Sequence, residues 1–135
     1  VEDFSHIRAI TVEDNEGSAL LIQAILRRIG IDVSTHPTGE HFLEYIHSLP
    51  TPPNLILLDI NLPRLNGIDI VKNLRADSQF KDVLVIAVSS VDPNKYLPII
   101  KASGFNSFIR KPVNREHFPK QIQRILAGET IWETN

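Results

Sequence analysis

Residues 55–67 read Leu55-Ile56-Leu57-Leu58-Asp59-Ile60-Asn61-Leu62-Pro63-Arg64-Leu65-Asn66-Gly67. From Asn54 to Leu58 the run is apolar without alternation, the pattern of a strand covered on both faces rather than one with a wet side. Asp59 closes it, and Asn61, Pro63 and Gly67 follow, so a carboxylate stands where a buried strand breaks into a loop. Gly67 then leads into Ile68, Val71 and Leu74 at helical spacing. A doubly covered strand followed by a helix is the repeating unit of a parallel sheet.

The same alternation extends in both directions. Upstream, Ile7 to Val12 ends at Glu13 and Asp14, and Leu21, Ile22, Ile25, Leu26 and Ile29 mark one helix face up to Gly30. A brief strand over Ile31 to Thr35 precedes Thr38, which can cap a helix carrying Phe42, Leu43 and Ile46 before Pro50, Pro52 and Pro53 end it. Downstream, Val83 to Val88 is another continuous apolar run. Asp92 and Pro93 are cap and first residue of a helix to about Ser103, in which Pro98 predicts a kink or a late start. A fifth strand, Ser107 to Ile109, precedes Lys111, Pro112 and a last helix using Phe118, Ile122, Ile125 and Leu126. Five such units predict an α/β fold: a doubly wound, five-stranded parallel sheet with helices on both sides, three layers in all, because βα crossovers are right-handed. One domain over 1–135 is expected, with its core in 7–126 and a tail, 127–135, holding the only Trp. Ile131 and Trp132 can fold back on the body or meet a second subunit, and an aromatic just past the last helix suggests a homodimer.

Length and composition narrow the function classes. In 135 residues, 42% hydrophobic and 22% charged, the balance is that of one globular domain. The absence of cysteine excludes disulfides, thiolate catalysis and cysteine-ligated zinc. No apolar run approaches the roughly 18 residues of a membrane span, and Val1 opens no signal segment, so a cytoplasmic protein without a membrane partner is expected. The chain contains no Met, so Val1 either follows a removed initiator or marks a cut from a longer polypeptide. A net charge of −2 offers nucleic acid no general attraction, and Arg115, Lys120 and Arg124 read as a solvated face. The five His are scattered, at no metal-ligand spacing, and surface positions are expected for them.

In open α/β sheets ligands sit beyond the carboxyl ends of the strands, so the polar residues there form the candidate site. They are Glu13 and Asp14 after the first strand, Asp59 after the third, Ser89 and Ser90 after the fourth, and Lys111 with Pro112 after the fifth. Two carboxylates about 4 Å apart repel by roughly 4 kcal/mol at an effective dielectric near 20, so three need a cation beyond one lysine. An oxygen-only donor set selects a hard ion, and a small carboxylate group with room for water and phosphate favours Mg²⁺. Such a site can accept a phosphoryl group. Taken alone, Glu13 and Asp14 can equally be helix-capping acids.

From Ile7 to about Leu126 the chain resembles the receiver domain of two-component response regulators. The resemblance rests on Glu13 and Asp14, on Leu57-Leu58-Asp59-Ile60-Asn61-Leu62-Pro63 with Gly67 behind it, on Ser89-Ser90, and on Gly104 to Pro112 with its Lys111-Pro112 pair, all in order. Ser89 follows Asp59 by 30 residues, and Phe108 follows Ser89 by 19. The resemblance implies a flavodoxin-like (βα)5 fold and a signalling switch rather than an enzyme acting on external substrates. It implies that Asp59 accepts a phosphoryl group from a phosphohistidine on a sensor histidine kinase or phosphotransfer protein, and that a downstream protein target reads the result. Asp14 and Asp59 would hold Mg²⁺ directly, Glu13 through water and Asn61 through its backbone carbonyl. Lys111 would contact the phosphate, across a Lys111-Pro112 bond that is often cis in this family. Ser89 and Phe108 would carry the switch, a hydroxyl moving toward phosphate and a ring turning inward behind it, although Phe108 can also be plain core. Aspartate-based phosphohydrolases are the alternative, but they use an Asp two residues after the nucleophile as general acid, and Asn61 stands there. A receiver-like interaction module that is never phosphorylated is the other. Leu21 and Ala24 either widen the core face of the first helix or form a kinase-docking patch.

Overall fold

The computed structural model describes residues 3–134; Val1 and Asn135, the ends of the expected domain, lie outside them. Five strands, β1 (Arg8–Val12), β2 (Asp32–His36), β3 (Leu55–Leu58), β4 (Leu84–Ser89) and β5 (Ser107–Arg110), alternate with five helices. These are α1 (Glu16–Arg28), α2 (Gly39–Ser48), α3 (Gly67–Arg75), α4 (Pro93–Ser103) and α5 (Phe118–Leu126), with one 3-10 turn at Ser78–Phe80. All strand pairs are parallel and the order is β2-β1-β3-β4-β5, the flavodoxin-like arrangement.

The unalternating strands are explained by two cores. Successive strand side chains point to opposite faces. Ile10, Val12, Ile56, Leu58, Val85 and Ala87 enter one apolar cluster with Phe42, Ile70, Leu74 and Ile100 from α2, α3 and α4. Ala9, Leu55, Leu57, Ile86, Val88 and Ile109 enter the other, with Ile22, Leu26, Phe118 and Ile122 from α1 and α5. Both faces are therefore buried, and the carboxyl edge of the sheet is the open side where polar residues gather.

Caps set where the helices begin. Thr38 caps α2, and Asp92 caps α4 with Pro93 in its first turn, as their residue types dictate. The cap of α1 is Asn15, whose side chain accepts from the Ser18 N–H at 2.9 Å, so neither Glu13 nor Asp14 is spent on capping. Asn66 does the same for α3 through the Asp69 N–H. The expected late start of α4 does not occur: the helix runs from Pro93 through Pro98 to Ser103. Pro98 lies in the second turn, where it costs one ladder bond while Ile100 stays wholly buried and Tyr96 and Leu97 pack on the core.

The segment after α5 folds back on its own chain. Trp132 pairs with Phe108 in a parallel bridge along the outer edge of β5.

One histidine departs from the expected surface placement. His36, at the end of β2, is 5% exposed; its Nδ1 lies 2.9 Å from Nδ1 of His41, and its ring is 4.4 Å from that of Tyr45. At that separation one imidazole donates and the other accepts, so the pair shares a proton. Burial, and then the His41 ring, push His36 below the ordinary histidine value of 6.5. The unfolded chain thus binds the additional, charging proton more readily, so the stability His36 contributes is full above 6.5 and lost as the pH falls toward its depressed folded value. Melting temperature should drop between about pH 7.5 and about pH 5.5, and drop less in His36→Phe, which keeps the stacking without the titration. Equal losses in both proteins would contradict this.

Candidate functional site

Each acidic side chain reaches the carboxyl edge because its strand ends there. In the register of the sheet Val12 lies beside Leu58 and Leu58 beside Ala87, so β1 and β3 finish level and β4 runs two residues further, to Ser89. Glu13 and Asp14 follow β1 and Asp59 follows β3; the Asp59 N–H donates to the Val12 carbonyl at 3.2 Å, and the Glu13 N–H to the His36 carbonyl at 3.0 Å. Carboxylate oxygens of Glu13, Asp14 and Asp59 all lie within 4.8 Å of one another. Glu13 and Asp59 are buried, 3% and 5% exposed, while Asp14 is open to solvent.

Both carboxylate oxygens of Asp59 are engaged. Oδ2 accepts from Lys111 Nζ at 2.7 Å; Oδ1 accepts from Ser89 Oγ at 2.8 Å and from the Asn61 N–H at 3.1 Å. Lys111 Nζ also donates to Glu13 Oε1 at 2.5 Å, and Glu13 Oε2 accepts from the Asn15 N–H at 3.0 Å. One ammonium therefore bridges two buried carboxylates. The lysine arrives because β5 ends level with β4, where the Lys111 N–H donates to the Ser89 carbonyl at 3.0 Å. The Lys111-Pro112 peptide bond is cis.

The charge balance is short of cation. Burial above all raises the Glu13 carboxyl above its usual range, against the hydrogen bonds from Lys111 and the Asn15 N–H, and the Asp59 charge raises it further. Burial pulls the Lys111 ammonium down, but its hydrogen bonds to Asp59 and Glu13, with their charges, outweigh that and hold it above the ordinary lysine value. The two directions agree physically: the lysine is held charged by two acids, and one of those acids is left under-compensated. Among the described residues Asp14 pairs with no cation. Carboxylates at 4.8 Å repel by roughly 3 kcal/mol at an effective dielectric near 20. A hard divalent ion with oxygen ligands is what this donor set fits, so the residues present suit Mg²⁺.

Of the residues singled out from sequence, Glu13, Asp14, Asp59, Ser89, Asn61 and Lys111 meet in one place. Phe108 does not join them: it pairs with Ala87 one step back along the strands and is wholly buried. The outward-facing ring from which an inward turn was expected is therefore absent here. Sequence reasoning missed the bridging position of Lys111 and the His36–His41 pair, and left open whether Ile131 and Trp132 fold back or meet a second subunit. The i, i+5 spacing of the two histidines across a turn carries no periodic signal, whereas the Ile131-Trp132 pair among polar neighbours was a visible one.

The sequence profile of the response regulator receiver domain matches residues 9–123. The alkaline phosphatase synthesis transcriptional regulatory protein PhoP of Bacillus subtilis is 29% identical over 124 residues, 92% of this chain but 50% of that protein, so the chain spans about half the length of this relative. Among solved structures, the chemotaxis response regulator CheY4 of Vibrio cholerae superposes with a TM-score of 0.81 at 26% identity, covering 88% of this chain and 98% of its own. The receiver domain of the sensor histidine kinase PA1611 of Pseudomonas aeruginosa, which has a magnesium ion coordinated in its active-site cleft, superposes at 0.79 with 24% identity, covering 90% and 98%. With the profile covering most of the chain and the acidic cluster in place, the chain belongs to the response regulator receiver domain family, signalling switches of two-component systems rather than conventional enzymes.

Proposed function

We propose that Asp59 is the phospho-acceptor of a two-component phosphorelay and that the observation carrying this is its engagement by Lys111, Ser89 and the Asn61 N–H beside two further carboxylates. A carboxylate oxygen of Asp59 attacks the phosphorus of a phosphohistidine; the new O–P bond forms as the P–N bond breaks, and the histidine nitrogen leaves with the electron pair. The product is an acyl phosphate, a recognised form of covalent catalysis by carboxylate. Asp14 and Asp59 would hold Mg²⁺ directly, Glu13 through water and Asn61 through its carbonyl. When bound, the ion supplies positive charge that lets an anionic donor enter an anionic pocket and stabilises the transferred group. Lys111 supplies the second positive charge from its position between Glu13 and Asp59.

Once one Asp59 oxygen is esterified, the donors that now converge on it must re-pair. Lys111 turns its ammonium, and Ser89 its hydroxyl, to the phosphoryl oxygens. Ser89 is wholly buried, so its shift disturbs packing beside β4. Phe108, the β5 neighbour of Ala87, takes up that change. Because the ring is already buried, its part is repacking within the core rather than a gain of buried area. A protein target reads the altered surface.

The donor protein meets the groove between α1 and α5, lined by Leu20, Leu21, Ala24, Ile29 and Pro119. Leu20 is 61% exposed there, an apolar side chain with no packing role in the isolated chain. Leu20→Lys should slow transfer from a phosphohistidine protein by about tenfold or more while leaving labelling by acetyl phosphate unchanged. Equal slowing of both would place the defect in the pocket instead.

Incubation with acetyl phosphate and Mg²⁺ tests the function itself. The expected result is labelling that plateaus at one phosphoryl group per chain, whereas sustained hydrolysis of phosphate monoesters would indicate a phosphohydrolase. Val91, buried two residues past Ser89, has no polar group with which to orient a hydrolytic water. The adduct should therefore persist for minutes or longer after donor removal, and loss within seconds would contradict this role of Val91.

A further inference from the structure

β5 is an edge of the sheet, and an edge strand presents unpaired N–H and C=O groups that invite another strand. Here residues 131–133 take that place. The Phe108 N–H donates to the Ile131 carbonyl at 2.8 Å, and the Glu133 N–H to the Phe108 carbonyl at 3.0 Å, in parallel register. The flanking groups are met by side chains: the Ile131 N–H donates to Ser107 Oγ at 2.9 Å, and the Arg110 N–H to Glu133 Oε1 at 3.1 Å. Side chains alternate as in a true strand. Ile131 packs on the α1/α5 cluster and Trp132 on the opposite cluster, where the Lys101 ammonium lies 5.2 Å from the ring centre.

The attachment is specific but shallow. It consists of one bridge, all three residues remain partly exposed, and the lead-in from Gly128 to Thr130 is open to solvent. A short strand held this way peels off without disturbing either core, and what it uncovers is a recognition surface whose chemistry the occupant itself declares.

We propose that the outer edge of β5 is a strand-addition site for a partner protein's extended segment bearing an aliphatic, an aromatic and an acidic residue in succession, and that Ile131–Glu133 is its competitor in cis. Strand addition takes its affinity from main-chain bonds and its specificity from pockets for alternate side chains. The acid is specified by the Arg110 N–H, the ring by the Lys101 and α4 side, and the aliphatic residue by the α5 side. The main-chain bonds of this site need no phosphoryl group to form.

Trp132 is the only tryptophan in the chain, so its emission reports this segment alone. A synthetic peptide with the sequence of residues 128–134 but phenylalanine in place of the tryptophan is silent at that wavelength. Added to the full 135-residue chain, it should displace the tail and shift Trp132 emission to the red. A tethered competitor acts at an effective concentration of about millimolar, so saturation is expected in that range for the native chain and at roughly tenfold less peptide for Glu133→Ala. A scrambled peptide should do nothing. No shift in either protein, or an equal shift with the scrambled peptide, would overturn the proposal. A red shift that depends on protein concentration without peptide, with dimer on size exclusion, would make the occupant a second copy of this chain and overturn the partner assignment. Neither Mg²⁺ nor a phosphodonor enters the readout, so its failure is separate from failure of the phospho-acceptor reading.

Discussion

Asp59→Asn should take up no phosphoryl group from acetyl phosphate under conditions in which the native chain is labelled to completion. The amide keeps the shape of the side chain and an oxygen that can accept from Ser89 Oγ and the Asn61 N–H, so the local fold has no reason to change. What it loses is the anionic nucleophile and one of three carboxylates able to hold a divalent ion. Lys111 then pairs with Glu13 alone, and Glu13 is relieved of the neighbouring negative charge that raises its carboxyl. The variant should thus remain folded by circular dichroism while its Mg²⁺ response weakens and its labelling vanishes. Native-level labelling of the variant would mean that the phosphoryl group goes elsewhere.

The largest structural effect is expected at Gly67. A Cβ there would stand 2.4 Å from the Asp59 carbonyl oxygen, 3.0 Å from the Ile60 Cα and 3.1 Å from the Asp59 carbonyl carbon. All three are backbone atoms, so no rotamer change can make room. The Gly67 N–H also donates to the Ile60 carbonyl at 2.9 Å, which pins the start of α3 against the loop that carries the nucleophile. Overpacking of this kind costs typically about 1–3 kcal/mol, and a branched side chain stands at the upper end or beyond. Gly67→Val should lower the melting temperature by several degrees at about 2–8 °C per kcal/mol, with Gly67→Ala between it and the native chain. Because the clash falls on Asp59 itself, weaker labelling should accompany the lower melting temperature. Native melting behaviour in Gly67→Val would show that α3 and this loop are not held as close as described.

Residues 55–58 announced their strand because an apolar run with no polar partner can only be covered twice, and the two clusters on either side of the sheet are that covering. The acidic site was legible for a related reason: Glu13, Asp14, Asp59, Ser89 and Lys111 each stand at or within two residues of the end of an apolar run, and parallel strands in register bring such ends together. Strand bounds moved by a residue or so where a side chain took over a backbone partner, as when Asn54 Oδ1 accepts the Arg8 N–H at 2.8 Å instead of extending β3. Cap identity was harder, since Glu13, Asp14 and Asn15 can all cap and only geometry selects Asn15. The position of Phe108 and the fold-back of Trp132 depend on long-range packing that no local period encodes. Arg75 is of the same kind: its guanidinium donates to the Gly104 and Phe80 carbonyls and to Asn106 Oδ1, tying α3 to the lead-in of β5 across about thirty residues.

The central claim, that three carboxylates make Asp59 a metal-dependent phosphoryl acceptor, is tested most directly by peptide mapping of the chain after acetyl phosphate treatment with Mg²⁺ and with chelator. The account predicts a single phosphoryl group, on the peptide containing Asp59, present with Mg²⁺ and absent with chelator. A phosphoryl group on any other residue, or equal modification of Asp59 without a divalent ion, would contradict it.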